Sequence, residues 1–250
     1  MKILILGESC TDEFVYCKCT RLSPEAPVPV LVELERKFMG GMALNVQNNL
    51  NSLGCDVVDI LTNKEKIVKT RFVENKTNHM VMRLDSKDKV DRFFNLYDVD
   101  YSFYDAIVIS DYAKGFLTVQ DLMDISAAHP LTFLDTKKPL GGWALGFTFI
   151  KINETEWSNS VHNGALGVDW QDKLIVTLGE RGCDYNGVNY PANQVDVSDL
   201  SGAGDTFLAG LVYEYLLSKD IRKAIVFANK IAGVVVSKRG VATVKTKQYE

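Results

Sequence analysis

The chain has 250 residues, of which 46% are hydrophobic and 24% charged, and its formal net charge at pH 7 is −4. This length and balance are typical of a globular domain with one substantial core. The negative charge argues against nucleic acid as the main partner, and no uncharged apolar stretch reaches the length of a membrane span.

Runs typical of strands alternate with runs typical of helices, which predicts a parallel sheet covered by helices. The first run, Met1–Gly7, predicts a buried strand and not a signal peptide, because no small-residue cleavage site follows it. The predicted strands are residues 2–6, 56–61, 105–110, 131–135, 147–151 and 173–178. The predicted helices are residues 42–53, 118–128, 153–160, 203–218 and 220–237.

Two stretches interrupt this alternation. Residues 14–35 and 69–85 contain β-prone runs with no helix between them. Prolines in the first stretch suit strand edges and turns, where no backbone N–H is needed for pairing. We expect the two stretches to form a small sheet that projects from the main one as a lid.

The five cysteines and three histidines form no recognisable cluster. Cys17 and Cys19 have no second pair and no nearby histidine, which argues against a zinc site. We expect reduced thiols in a cytoplasmic protein.

Several predicted strands end in polar residues or glycine. The ends are Gly7, Asp111, Asp135, Asn153 and Gly179. Ligand groups gather at the carboxyl ends of strands in open α/β sheets, so these residues are candidates for one shared crevice.

The most informative motif is Gly202-Ala203-Gly204-Asp205, which opens an apolar helix. A glycine-rich turn at a helix start presents free backbone N–H groups and the positive end of the helix dipole to an anion such as phosphate. Asp205 would then accept a proton from the group that attacks the phosphate. The alternative is a plain helix start, in which the glycines shape the turn and Asp205 caps it.

Three weaker motifs accompany it. Gly40-Gly41, with Asn45 one turn into a helix, allows the backbone to approach a ligand. Asn153 and Glu156 follow a strand, and they either hold a hydrated Mg²⁺ or form a capping box at a helix start. The stretch 179–182 is either a hairpin turn or a loop near nucleotide phosphates.

In this order the motifs resemble the ribokinase-like (PfkB) family of sugar kinases, with Gly-Gly-x-x-x-Asn at 40–45, Asn-x-x-Glu at 153–156 and Gly-Ala-Gly-Asp at 202–205. The resemblance covers nearly the whole chain. It implies a three-layer α/β/α fold with a mostly parallel central sheet and a small projecting β-sheet lid. It also implies a single kinase domain over residues 1–250, with lid strands from about 12–38 and 69–97.

Residues 21–30, 82–85, 110–115 and 227–236 are similar to the D-glycero-D-manno-heptose-7-phosphate kinases of this family. The resemblance implies transfer of the γ-phosphoryl group of ATP to a sugar hydroxyl, here the anomeric hydroxyl of the heptose 7-phosphate. It implies ATP and Mg²⁺, a monovalent cation such as K⁺ as a further cofactor, and a homodimer formed through the lid.

The same resemblance assigns roles to residues. Asp205 is the base, and the N–H groups of Gly202, Ala203 and Gly204 surround the transferred group. We expect Asp205 to stay ionised at neutral pH, since the helix dipole favours the anion. The remaining implied residues are Asp12, Gly40, Gly41, Asn45 and Asp111 for the sugar; Arg21, Lys69, Arg71, Arg83 and Lys114 for its phosphate; Thr177, Gly179, Gly182 and Asn229 for the nucleotide; Asn153 and Glu156 for Mg²⁺; and Asp199 for the monovalent cation.

The chain also departs from the family pattern. Glu8 stands where the family has Asp after Gly7, Thr136 stands where it has Pro, and the chain is shortened after Asn63 and around 159–172. No nucleotidyltransferase segment follows, so we expect a kinase without that second activity. Two alternatives stay open: a kinase for another sugar or sugar phosphate, and a catalytically idle relative that binds a sugar or nucleotide. The Gly-x-Gly-x-x-Gly and P-loop patterns are absent, which disfavours dinucleotide enzymes and P-loop kinases.

Overall fold

The computed structural model describes residues 1–162 and 170–244, in which two sheets and five α-helices form. The strands of the larger sheet are β1 (Lys2–Gly7), β4 (Val57–Leu61), β7 (Ala106–Asp111), β8 (Thr132–Thr136), β9 (Phe149–Asn153), β10 (Leu174–Thr177), β11 (Cys183–Tyr185) and β12 (Val188–Tyr190). Their order is β12-β11-β10-β9-β8-β7-β1-β4. The neighbours from β4 to β10 pair in parallel, and β10, β11 and β12 pair antiparallel.

The helices cover both faces of this sheet. They are α1 (Ala43–Leu53), α2 (Val119–Ala128), α3 (Glu154–His162), α4 (Ala203–Ser218) and α5 (Ile221–Val236). Residues of α1, α4 and α5 share one core with alternate residues of the strands, whereas α2 shares a second core with the other alternate residues. The predicted α/β/α layering is therefore confirmed, and each predicted strand and helix has a counterpart at nearly the predicted position.

The second sheet is the predicted lid. It contains β2 (Ser9–Leu22), β3 (Pro29–Met42), β5 (Val68–Glu74) and β6 (Met80–Asp85), in the order β3-β2-β5-β6. The predicted second lid segment extends to residue 97, but its last strand ends at Asp85. Beyond it the backbone returns to the core, where Val90 N–H donates to the Lys114 carbonyl and Phe93 N–H to the Phe116 carbonyl.

One feature of the main sheet differs from the prediction. The β11–β12 hairpin was not predicted, because each of its strands has only three residues. Gly182 begins it with φ +88°, and a Cβ atom there would lie 2.0 Å from the Tyr190 carbonyl oxygen, so the turn requires glycine.

The shortened connection after β4 is held by one side chain. Asn63 accepts a hydrogen bond from Ser9 N–H at 2.7 Å and donates to the Ser9 and Glu65 carbonyls. The other shortened stretch, predicted around 159–172, lies partly outside the described residues. Among the helices of the described ranges, none is both long enough and apolar enough to cross a membrane.

Candidate active site

A cavity of about 1370 Å³ opens at the carboxyl ends of the central strands, with α4 and α5 forming its other walls. Asp135, Asn153 and Gly179 line this cavity, as the crevice prediction requires, whereas Gly7 and Asp111 do not. The glycine-rich motif at 202–205 also lines it, so the turn is neither sealed in the core nor directed away from the cleft.

The glycine-rich turn presents backbone N–H groups to the cavity. Gly202 caps α4 with φ +81°, a left-handed conformation that favours glycine. The N–H groups of Gly204 and Asp205 find no acceptor among the described residues, as expected for the first turn of a helix. Ala203 differs from the prediction, because its N–H donates to the Leu200 carbonyl at 3.3 Å. Two donors next to the carboxylate therefore remain available to an anion.

The carboxylate of Asp205 is held by two side chains from distant parts of the chain. Asn45 Nδ2 donates to Oδ2 at 3.0 Å, and the Tyr112 hydroxyl donates to Oδ1 at 2.8 Å. Asp205 itself is only 6% exposed. The two hydrogen bonds fix the orientation of the carboxylate at the edge of the cavity.

Burial changes the acidity of this group. It raises the pKa of Asp205 to about 6, while the hydrogen bonds from Asn45 and Tyr112 oppose the rise by favouring the anion. Burial, which the sequence argument did not include, therefore brings the pKa of Asp205 closer to neutrality than expected, although the carboxylate stays ionised as predicted. At neutral pH the carboxylate is mostly ionised, and it is a stronger base than an ordinary aspartate.

Asn45 occupies a different place from the one predicted. It is fully buried behind Asp205, where Asn49 Nδ2 donates to its Oδ1 at 3.1 Å. Its amide nitrogen is directed at the base and not at the cavity. Asn45 therefore orients Asp205 and is not available for a sugar hydroxyl in this arrangement.

Glu8, which the sequence marks as a departure from the family, organises the loop that carries Tyr112. Its buried carboxylate accepts hydrogen bonds from the N–H groups of Tyr112, Lys114 and Phe116, at 2.7, 2.8 and 3.2 Å. Three backbone donors satisfy an otherwise costly buried charge. Glu8 thus fixes the loop after β7 beside the base.

The five cations predicted for the sugar phosphate have different environments. Arg71 forms an ion pair with Asp12, Lys114 with Asp88, and Arg83 with Asp85, and Arg21 is exposed near the end of β2. Lys69 is half-buried and has no carboxylate within ion-pair distance among the described residues. Its Nζ lies 5.3 Å from the centre of the Tyr112 ring. Of the five cations predicted for the sugar phosphate, Lys69 is therefore the one best placed near the base for an anionic group of a substrate.

The other predicted sugar residues divide into two groups. A Cβ atom on Gly41 would lie 2.1 Å from Asp12 Oδ2, so glycine is needed there to admit the carboxylate. Gly40 makes similar room for Leu44. The prediction that Asp111 binds the sugar is corrected by the structure. Asp111 is 1% exposed and pairs with Lys138 Nζ at 2.6 Å, so it is not available to a substrate.

Asn153 and Glu156, the predicted Mg²⁺ ligands, form the capping box that the sequence left open as the alternative. Glu156 N–H donates to Asn153 Oδ1 at 2.9 Å, and Asn153 N–H donates to Glu156 Oε2 at 2.7 Å, which is a capping box at the start of α3. Lys137 occupies the other oxygen of Glu156. No cluster of three or more His, Cys, Asp or Glu side chains suited to a metal occurs within residues 1–162 and 170–244.

Asp199, predicted for a monovalent cation, likewise has partners. Its two oxygens accept hydrogen bonds from Ser201 N–H at 2.8 Å and from Gly240 N–H at 3.1 Å. Each oxygen keeps a further lone pair, so the role of Asp199 as an ion ligand stays a prediction. The side chain ties the segment before α4 to the turn after α5.

The four residues predicted for the nucleotide all line the cavity; they are Thr177, Gly179, Gly182 and Asn229. Gly179 and Gly182 enclose the tight turn between β10 and β11, so this stretch is both a hairpin turn and part of the cavity wall. Asn229 Nδ2 donates to the Tyr190 carbonyl at 3.0 Å, which fixes α5 against β12.

Among the polar residues at the cavity that had no predicted role, Tyr112 and Lys151 have the most informative contacts. Tyr112 holds the base, and Lys151 forms a buried pair with Asp135. The signal for Lys151 was present, because it is a lysine inside an apolar strand, between Ile150 and Ile152. For Tyr112 no local signal exists, since its role depends on a contact across 93 positions of the chain.

Comparisons with known proteins agree with this geometry. Residues 140–248 match the pfkB family carbohydrate kinase profile. The bifunctional protein HldE of a Nitratiruptor species is 32% identical over 298 aligned positions, which cover 100% of this chain and 64% of the relative. The chain thus spans slightly less than two thirds of the length of that relative.

Solved structures of low sequence identity share the fold. The ribokinase from Thermotoga maritima superposes with a TM-score of 0.74 at 12% identity, over 100% of this chain and 98% of that one. The phosphofructokinase-2 from Escherichia coli, in complex with potassium, gives 0.73 at 13% identity, over 99% and 96%. At these identities the two structures establish the ribokinase-like fold alone.

Proposed function

We propose that this chain, of which residues 140–248 match the pfkB family carbohydrate kinase profile, transfers the γ-phosphoryl group of ATP to a hydroxyl group of a sugar. The observation that carries the proposal is the base at the anion site. Asp205, with a pKa of about 6, lies at the cavity beside the unpaired N–H groups of the first turn of α4.

The site supplies what such a transfer needs. The sugar oxygen attacks the γ-phosphorus, a new P–O bond forms, and the bond to the oxygen bridging the β- and γ-phosphates breaks, so that ADP leaves with the electron pair. Asp205 accepts the proton of the attacking hydroxyl. The N–H groups of Gly204 and Asp205 donate to the charged oxygens of the transferred group. Positioning and charge stabilisation provide most of the catalysis in phosphoryl transfer.

Mg²⁺ enters the proposal as the usual partner of ATP. Asp135 has one carboxylate oxygen, Oδ1, that is buried at the cavity and finds no donor in the described part of the chain. Mg²⁺ is commonly bound by one or two carboxylates together with substrate phosphates, so this oxygen fits the ion better than the paired Glu156. Asp135 would hold Mg²⁺, which would neutralise charge on the triphosphate.

For the acceptor we propose a sugar phosphate, with D-glycero-D-manno-heptose 7-phosphate as the first candidate and its anomeric hydroxyl as the nucleophile. The similarity to HldE supports the heptose. Lys69 supports an acceptor that already carries an anion, because a half-buried ammonium without a carboxylate partner suits a phosphate.

Asp205→Asn tests the base. The substitution keeps the size of the side chain and removes the proton acceptor, so kcat should fall by about 10²- to 10⁴-fold. Affinity for ADP, measured by calorimetry, should stay near that of the parent protein. Turnover close to the parent rate would remove Asp205 from the mechanism.

A panel of acceptors tests the substrate class. ADP release is measured with the heptose 7-phosphate, unphosphorylated heptose, fructose 6-phosphate and ribose at equal concentrations. We expect the highest kcat/KM with the heptose 7-phosphate, and Lys69→Met should lower that value more than the value for unphosphorylated heptose. Preference for an unphosphorylated sugar would contradict the proposed class, and ATP binding without turnover on any acceptor would favour the idle relative.

A further inference from the structure

A buried ion pair lies in the cavity wall, on two neighbouring central strands. Lys151 of β9 and Asp135 of β8 are each 4% exposed, and Lys151 Nζ donates to Asp135 Oδ2 at 2.7 Å. Both residues line the cavity. The pair therefore places a positive charge, fixed in position, at the point where the strands end.

The ammonium group of Lys151 is only partly satisfied. It has three N–H donors, and Asp135 is the one acceptor that it finds within the described ranges of the chain. A charge removed from water costs several kcal/mol unless hydrogen bonds replace its hydration. Buried groups left without partners call for an explanation, and a ligand that accepts hydrogen bonds at this point would complete the coordination of Lys151.

The position of the Lys151 ammonium group indicates which kind of ligand would accept its hydrogen bonds. A Cβ atom built on Gly204 would lie 3.1 Å from Lys151 Nζ, so the ammonium faces the glycine of the anion site at close range. The unpaired N–H groups of Gly204 and Asp205 belong to the same turn. A phosphoryl group held by those N–H groups would therefore be within reach of Nζ.

We propose that Lys151 is a further catalytic residue, whose ammonium group contacts the non-bridging oxygens of the γ-phosphoryl group, and that Asp135 is the positioning residue that holds it there. The inference rests on the proposed kinase function. Lys151 forms no covalent bond and transfers no proton. It supplies charge that does not need to reorganise as the phosphoryl group passes to the sugar.

Nucleotide binding separates this role from a structural one. Affinities for ADP and for AMP-PNP, the ATP analogue with an NH group between the β- and γ-phosphorus, are measured by titration calorimetry with Mg²⁺. Lys151→Met should weaken AMP-PNP binding by about tenfold or more and change ADP binding by less than about threefold, since only the analogue carries a γ-phosphoryl group. In the acceptor assay kcat should fall by at least about 10²-fold.

Lys138→Met is the matched control. It breaks the neighbouring buried pair between Lys138 and Asp111, which does not line the cavity. We expect it to lower stability but to leave the ratio of the AMP-PNP and ADP affinities unchanged. If Lys151→Met does not fold, Lys151→Gln, whose amide can still donate to Asp135 Oδ2 and which leaves Asp135 in place, is measured in the same way.

The outcomes are distinct. Equal losses of AMP-PNP and ADP affinity, or no loss of either, would overturn the role of Lys151. If the parent protein forms ADP with an acceptor and the Lys151→Met variant has the same kcat, that result would overturn this inference alone. A parent protein that binds neither nucleotide would overturn both the inference and the kinase proposal.

Discussion

At the scale of single residues, the acidity of Asp205 depends on its neighbours. Burial raises the pKa to about 6, and the Tyr112 hydroxyl and the Asn45 amide limit the rise. Cys10, Asp135, Lys137 and Lys151 also influence its charge or are influenced by it. The base is therefore tuned by groups from α1, the central strands and the loop after β7.

Tyr112→Phe should move the pH dependence of activity. The phenol donates to Asp205 Oδ1 and favours the carboxylate, so its removal raises the pKa of Asp205 further. The acid limb of kcat/KM against pH reports this base in the free enzyme and should shift to higher pH. At pH 8, where the carboxylate stays ionised, activity should remain within about tenfold of the parent protein.

Tyr104→Phe provides the control for this substitution. The Tyr104 hydroxyl donates to Asp59 at 2.9 Å, away from the cavity, so its profile should match that of the parent protein. An acid limb that moves to lower pH in Tyr112→Phe, or does not move, would contradict the proposed hydrogen bond to the base.

At the scale of elements, the start of α3 shows how a functional motif can have a structural role. Asn153 and Glu156 satisfy each other and the first free N–H groups of the helix. Asn153 also reaches the cavity, whereas Lys137 pairs with Glu156. The capping hydrogen bonds of Asn153 and Glu156 therefore need no bound ligand.

Asn153→Ala should lower the free energy of unfolding by about 0.5–2 kcal/mol, because the cap is lost. Asn153→Ser retains a capping oxygen, so it should lower the free energy of unfolding by only about a few tenths of a kcal/mol. Urea unfolding monitored by circular dichroism measures both. Equal stability of the alanine variant and the parent protein would show that the cap does not stabilise α3.

At the scale of the whole molecule, the lid has two unlike faces. Asp12, Lys69 and Arg71 lie on the face toward the base. The opposite face exposes Phe38, Met82 and Leu84, at 63, 50 and 60% of their surfaces. Apolar side chains grouped on one side of a projecting sheet are typical of an interaction surface, and we propose that two lids pair there in a homodimer.

Sedimentation equilibrium tests this pairing. The parent protein should have about twice the chain mass of 27.9 kDa, and Phe38→Glu should shift it toward the monomer because it places a charge in the apolar face. Phe94→Glu is the control, since Phe94 is 71% exposed but lies outside the lid strands. A monomeric parent protein at micromolar concentration would exclude the lid-paired dimer.

Two hydrogen bonds connect the lid to the core. Asn78, in the turn between β5 and β6, donates to the Ser198 carbonyl at 2.7 Å, and Arg239 donates to the Asn75 carbonyl at 3.2 Å. Asp199 then links the same segment to Gly240, close to the glycine-rich turn. These hydrogen bonds join the β5–β6 turn of the lid to the segments before α4 and after α5.

The sequence by itself determined the elements and the place of the anion site. Short apolar runs predicted the six parallel strands, which are buried on both faces, and longer runs with apolar residues three or four apart predicted the five helices. Gly202 and Gly204 before an apolar helix predicted the N–H groups at the cavity. These signals are local, so one sequence suffices to read them.

Only the tertiary structure decided what surrounds the base. Asn45 lies 160 positions from Asp205 and Tyr112 lies 93, and no local pattern specifies either contact. The pKa of Asp205 and the Lys151–Asp135 pair likewise depend on burial and on the strand order, which bring side chains distant in sequence to one edge of the sheet. Electrostatic effects depend on distance and solvent exposure, and folding alone sets both.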